Sequence, residues 1–301
     1  MMDLSILIPA RNEIFLARTI ESILKNATAD SEVIVVMDGQ WADPPVTQDP
    51  RVNIIFHPES IGQRAAVNEA ARIAQGKYIM KLDAHCKLAP GFDTELVQNM
   101  CYNLTMVPRM YNLHVFDWVC QHCERRTYQG PKLTECRSCG HEAHEMDIVW
   151  KHKTNPTSDF MRFDKDLHFQ YWRDYKKRPE AEGDIVDQMC CIGACWVMDK
   201  ERYFELGGLD ESHGSWGQMG VEIACKTWLS GGRQVVNKNT WFAHLFRTQP
   251  GFKFPWILTN RQTEAARAYS QDLWLNNKWP KAVRPFEWIL EHFRPIPDWH
   301  D

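Results

Sequence analysis

Asp83-Ala84-His85 is a short run with the residue types of a metal site. Side chains two apart on an extended segment point to the same side, so the carboxylate and the imidazole can converge on one ion. An oxygen and an imidazole nitrogen suit a divalent cation of intermediate hardness, such as manganese. Such an ion neutralises a diphosphate and stabilises it as a leaving group. Asp-x-His alone is a common chance pattern, and its context has to decide. A second constellation is more specific by itself. Cys120-x-x-Cys123 and Cys136-x-x-Cys139 are separated by twelve residues, and Gly140 follows the last thiol. This spacing lets four thiolates surround one zinc ion tetrahedrally, and a closed four-thiolate site is structural. His122, His141 and His144 lie in the same stretch and read as bystanders. Cys190, Cys191, Cys195 and Cys225 lack such spacing and read as small buried hydrophobes.

The elements that must position Asp83 and His85 follow from apolar runs and breakers. Leu4–Pro9, Glu32–Met37, Val52–Phe56 and Tyr78–Leu82 read as strands. An amphipathic helix carrying Phe15, Leu16, Ile20, Ile23 and Leu24 follows the first, and an Ala-rich helix over 62–75, closed by Gly76, precedes the fourth. Alternating strands and helices predict an α/β fold with a mostly parallel sheet flanked by helices. Ligands of such sheets bind at the carboxyl ends of strands. Asp38 and Asp83 both fall at such ends. Periodicity is lost over 114–152, which reads as an inserted zinc ribbon. The domain reading is therefore 1–113 for the donor-binding half, 114–152 for the ribbon, 153–250 for the acceptor half and 251–301 for a helical, Trp- and Pro-rich extension. In the later half, strands are expected over 194–198, 234–236 and 241–245, and helices over 222–230 and 263–275.

LSILIPARNE, EVIVVMDG, the segment from Gly62 to Tyr78 and KLDAH resemble the donor-binding half of family 2-type glycosyltransferases with the GT-A fold. GGLDESHGSWGQMGVEIACKTWLSGG, followed by WFAHLFR, resembles the catalytic domain of polypeptide N-acetylgalactosaminyltransferases. The resemblance implies a metal-dependent transfer of a hexosyl or N-acetylhexosaminyl group from a nucleotide sugar, with uridine diphosphate as the expected nucleotide. Carried over residue by residue, it implies that Pro9, Ala10 and Glu13 line the nucleotide pocket and that Asp38 meets the base or ribose. It places Arg64 near the donor, and Asp83, His85 and His244 around Mn2+ or Mg2+. Trp216 falls on the loop shaping the sugar and acceptor site, and Arg247 near the diphosphate. Without the family, His244 would read as a core histidine between two strands. One departure stands out. The family has Gly-Gly-Glu-Asn after the tryptophan, whereas here Met219 stands in place of the Glu. An acceptor hydroxyl then lacks an obvious general base, and Asp210, Glu211, His213 and Glu222 are the nearby candidates.

Composition bounds the alternatives. The chain has 301 residues, is 44% apolar and 25% charged, and carries a net charge of -4, so bulk electrostatics do not advertise nucleic acid. Locally, Arg125, Arg126, Lys132, Arg137, Lys151 and Lys153 surround the ribbon, and such charge suits a polyanion. A hydroxymethylated base in DNA is accordingly one acceptor to consider, beside a sugar, a protein hydroxyl or a cell-wall polymer. No leader and no membrane span is legible, so a cytoplasmic protein with reduced thiols is expected. Thirteen Trp is a high count, and the plain reading is core packing. Two further functions compete: a degenerate, inactive scaffold serving as a zinc-ribbon binding module for nucleic acid or protein, and a nucleotidyltransferase. The latter needs a Gly- and Arg-rich phosphate loop, which Pro9-Ala10-Arg11-Asn12 replaces poorly.

Overall fold

The structure, a computed structural model, describes residues 2–156, 158–214 and 216–299. β1 (Leu4–Ala10), β2 (Ser31–Asp38), β3 (Val52–His57) and β4 (Tyr78–Leu82) alternate with α1 (Leu16–Asn26) and α2 (Gln63–Ile73). These four strands pair in parallel in the order β4-β1-β2-β3. β1, β2 and β4 are apolar nearly throughout because helices and neighbouring strands cover both of their faces. The Ala-rich face of α2 lies directly on β1, with Ala66, Ala70 and Ala71 fully buried.

The chain continues through β5 (Cys86–Leu88), α3 (Phe92–Asn99), β6 (Leu104–Cys120), β7 (Arg126–Tyr128), β8 (His144–Pro156), β9 (Met161–Phe163) and β10 (Phe169–Tyr171). β11 (Ile185–Asp187), β12 (Cys195–Asp199), α4 (Lys200–Glu205), α5 (Met219–Leu229), β13 (Arg233–His244), α6 (Asn260–Trp274) and α7 (Phe286–Phe293) complete it. β12 runs antiparallel between β4 and β6, and β13 lies parallel to β6, giving the sheet order β11-β13-β6-β12-β4-β1-β2-β3. Through this arrangement the end of β4 and the end of β13 meet, although 161 residues separate Asp83 from His244.

Several boundaries differ from the sequence reading. The two extended segments expected near 234 and 241 are one strand, β13, with an irregularity between Asn237 and Trp241. α5 begins at Met219 rather than Glu222. Gly220 explains the start: a Cβ there would stand 1.8 Å from the Cys191 carbonyl, so only glycine lets the helix press against that loop. The boundary drawn at 113/114 falls inside β6. This 17-residue strand leaves the main sheet and carries the ribbon, and β8 returns antiparallel beside it. Phe15, Leu113, Val115, Phe116, Trp118, Ala243 and Leu245 form a second apolar cluster beneath it. Periodicity was hard to see there because β8 is a half-exposed arm with an irregular register against β6. Trp118, Trp172, Trp196, Trp228, Trp274 and Trp279 are buried, in keeping with the packing reading, whereas Trp41 is 57% exposed.

Candidate donor and metal site

β4 ends at Leu82, and the next residues turn Asp83 and His85 toward the end of β13. Asp83 Oδ2 is 3.1 Å from His244 Nε2, and the two Nε2 atoms of His85 and His244 stand 3.0 Å apart. Ligand atoms about 2.1 Å from an octahedral ion are separated by about 3.0 Å, so the spacing fits a divalent cation. All three ligand atoms lie within 4.8 Å of one another. Burial works against a charge on His244 and brings its pKa down to about 4, which keeps the imidazole neutral and able to coordinate. Burial also opposes ionisation of Asp83, but Lys81 beside it and the His244 imidazole together hold the carboxyl well below its usual range.

Supporting contacts set the orientation. His85 Nδ1 is 2.9 Å from Glu13 Oε2, an arrangement that places the ring proton on Nδ1 and leaves Nε2, beside His244, as the atom that could coordinate a cation. Arg247 Nη2 donates to the same Glu13 oxygen at 2.8 Å. Glu13 thus joins His85 to Arg247. Lys81, on a strand otherwise apolar, ion-pairs with Asp83 Oδ1 and donates to the Gly193 carbonyl at 2.8 Å. Gln63 Nε2 reaches Asp83 Oδ1 at 3.3 Å.

Glu13, the partner of His85, also lines a cavity of about 180 Å³. Ala10 lines it too, together with Asn12, Met37, Gln40 and the exposed Trp41. Pro9 precedes Ala10 on β1, opposite Val36. Asp38 ends β2 and is buried, and its oxygens accept from Ile61 N at 2.6 Å, Ser60 Oγ at 2.7 Å and Gly62 N at 3.1 Å. The carboxylate therefore folds the loop leading into α2. Arg64 is fully buried. It donates to Gly214 O at 3.1 Å, Gly217 O at 2.6 Å and Glu222 Oε2 at 3.0 Å, clasping both sides of the loop that carries Trp216. Trp216 packs on Phe254, ring centroids 5.4 Å apart. Glu222 is wholly buried; besides Arg64 it accepts from Lys226 Nζ at 2.8 Å and Asp210 N at 2.6 Å. Burial opposes its charge, but Lys226 and Arg64 hold its pKa below normal. Of the other base candidates, Glu211 binds Asn68, Asp210 accepts from Tyr269, and His213 is buried against Ser270. Lys81, Gln63, Asn12 and Trp41 were missed by the sequence reading. Only Lys81 left a signal, as a charge inside a buried strand.

In the ribbon, Sγ of Cys120 and Cys139 are 3.6 Å apart, as are those of Cys123 and Cys136. A tetrahedron with bonds of about 2.3 Å has edges of about 3.8 Å, so the four thiols fit zinc. Amides of Ser138 and Cys139 pull the Cys136 thiol down to about 6. His122 and His141 stack on each other, outside this cluster. The basic residues are matched in number by Asp117, Glu124, Glu135, Glu142, Glu145 and Asp147, and Arg126 pairs with both aspartates. Charge on the ribbon thus no longer singles out a polyanion. Cys190, Cys191, Cys195 and Cys225 are buried, and burial raises their thiols.

Residues 5–133 match the family described as Glycosyl transferase family 2. Putative polypeptide N-acetylgalactosaminyltransferase 13 of Drosophila melanogaster is 24% identical over 293 residues, covering 91% of this chain and 46% of the relative. Polypeptide N-acetylgalactosaminyltransferase 14 of Homo sapiens is 24% identical, covering 94% and 48%. Probable N-acetylgalactosaminyltransferase 8 of Caenorhabditis elegans is 34% identical over 188 residues, covering 61% and 37%. The chain spans about half the length, or less, of these relatives. Among solved structures, GalNAc-T7 with UDP, GalNAc and Mn2+ superposes with a TM-score of 0.68 at 16% identity, over 97% of this chain and 56% of that one. The fold is thus the GT-A glycosyltransferase fold, and the chain resembles the catalytic domain of polypeptide N-acetylgalactosaminyltransferases in sequence and in architecture.

Proposed function

We propose that this chain is a metal-dependent glycosyltransferase that moves a sugar, hexosyl or N-acetylhexosaminyl, from a uridine diphosphate donor to a hydroxyl acceptor. The observation that carries the reading is the convergence of Asp83, His85 and His244 at the sheet's ligand-binding edge. A divalent cation held there would neutralise the diphosphate as it leaves. Ala10, Glu13 and Trp41 border the cavity suited to the nucleotide, and Arg247 is placed by Glu13 to meet phosphate oxygens. Trp216, beside Phe254, offers an aromatic surface for the sugar or acceptor.

During transfer, the acceptor oxygen bonds to the anomeric carbon, the bond from that carbon to the phosphate oxygen breaks, and the acceptor proton must go to a base. Glu222 is committed to Arg64 and Lys226, and apolar Met219 stands where the family has a carboxylate. The leaving diphosphate itself is then the natural proton acceptor, which favours retention of configuration. Glu222 acts as a positioning residue for the Trp216 loop. The four thiolates of the ribbon would hold a structural zinc. Among the described residues no helix is long and apolar enough to cross a membrane.

Purified protein with MnCl2 and a panel of uridine diphosphate sugars should release uridine diphosphate slowly without acceptor, and Asp83→Ala should not. A protein that neither binds nor hydrolyses any donor would instead favour the inactive binding module, for which the Met219 departure is the specific support.

A further inference from the structure

Lys81 is the unusual member of the site. It sits in the middle of the sheet, 1% exposed, on a strand whose other residues are apolar. A buried ammonium requires a partner. It has two, Asp83 Oδ1 and the Gly193 carbonyl. Asp83 therefore spends one oxygen on Lys81 and Gln63, and only Oδ2 faces His244 and the ion position.

The charges at the site add up in a telling way. Asp83 and Glu13 contribute two negative charges, and Lys81 and Arg247 two positive ones, all joined by direct contacts through the triad. Before any ligand arrives these two carboxylates and two cations already offset one another. Adding a dication alone leaves an excess of two positive charges in a partly desolvated place, whereas adding it with a diphosphate restores balance.

We propose that Lys81 is a resident counter-ion that keeps free divalent metal out, so that the cation loads tightly only together with the diphosphate donor. The inference rests on the donor-site reading above and deepens it. Coupling of this kind is reciprocal: a diphosphate that tightens the metal is itself tightened by it to the same degree. Removing the ammonium leaves Asp83 as an uncompensated carboxylate that a dication can satisfy unaided.

Mn2+ binding, followed by the loss of the free-ion electron paramagnetic resonance signal, tests this with and without UDP. The wild-type protein should bind Mn2+ at least tenfold more tightly with UDP present. Lys81→Met should bind Mn2+ without UDP at least tenfold more tightly than wild type, with most of the UDP dependence gone. Lys81→Gln, which keeps a donor toward Asp83 and Gly193 but drops the charge, should behave like Lys81→Met. Unchanged or weaker Mn2+ binding in these variants overturns the counter-ion role and leaves Lys81 as a holder of Asp83. If neither variant folds, the wild-type comparison decides, since equal Mn2+ affinity with and without UDP overturns it. No Mn2+ bound even with UDP overturns the donor site itself, a distinguishable result.

Discussion

Asp83 offers its two oxygens to different partners, one to Lys81 and Gln63 and the other to His244. Asp83→Ala should abolish Mn2+-dependent binding of UDP, read by calorimetry or thermal shift; donor affinity that survives the substitution would remove the site from this position. Glu222 illustrates the opposite case, a carboxylate whose oxygens are taken up by Arg64, Lys226 and the Asp210 amide. Glu222→Gln leaves Arg64 and Lys226 buried without their anion, and breaking a buried ion pair in this way costs about 3–5 kcal/mol. Chemical denaturation should show that loss. A variant of native stability that has lost transfer activity would instead make Glu222 a catalytic group. His213 contributes, with His244, to the loss of stability on the acid side. Burial depresses its pKa, so the unfolded chain takes up a proton near pH 6.5 that the folded chain refuses. Stability from this group is therefore complete above about pH 6.5 and is lost as pH falls below it. His213→Gln should flatten the acid side of the melting-temperature profile relative to wild type, and an identical profile would refute the assignment.

At the scale of elements, the ribbon is a continuation of the catalytic sheet. β6 runs from the core beside β12 and β13 out to Cys120, and the β7–β8 arm folds back along it. The segment after β13 touches the ribbon. Phe116 meets Phe252, a Cβ on Gly130 would stand 3.4 Å from Gln249, and Arg247 lies over Phe252. A zinc ion held by the four thiols would therefore bear on the loop that carries Arg247. Cys123→Ser should release bound zinc, measured by metal analysis, and lower the melting temperature. Donor hydrolysis should fall less than in Asp83→Ala, because the triad itself hangs on β4 and β13. Absence of zinc from the purified wild-type protein would remove the ribbon assignment.

Across the whole molecule, what was legible was whatever local pattern can encode. Four strands and two helices of the first third followed from apolar runs and from breakers such as Gly76, the thiol spacing was readable as four ligands, and Asp83 with His85 stood out as a pair. His244 was reachable only by resemblance, since nothing near it in the chain marks it as a ligand; β13 brings it to β4 by pairing across the sheet. Which carboxylates are free was not readable at all. Asp38, Arg64 and Glu222 all have the chemistry of ligand-binding groups, and each is consumed by partners up to 158 residues away. The sequence alone determined the element types up to β4, the four-thiol spacing and two of the three clustered ligand candidates, because those depend on neighbours in the chain. Tertiary structure alone decided that the ends of β4 and β13 meet, that Lys81 pairs with Asp83 and that Glu222 is committed to Arg64 and Lys226. Desolvation and charge pairing depend on which distant side chains share a buried volume, and one-dimensional order does not record that.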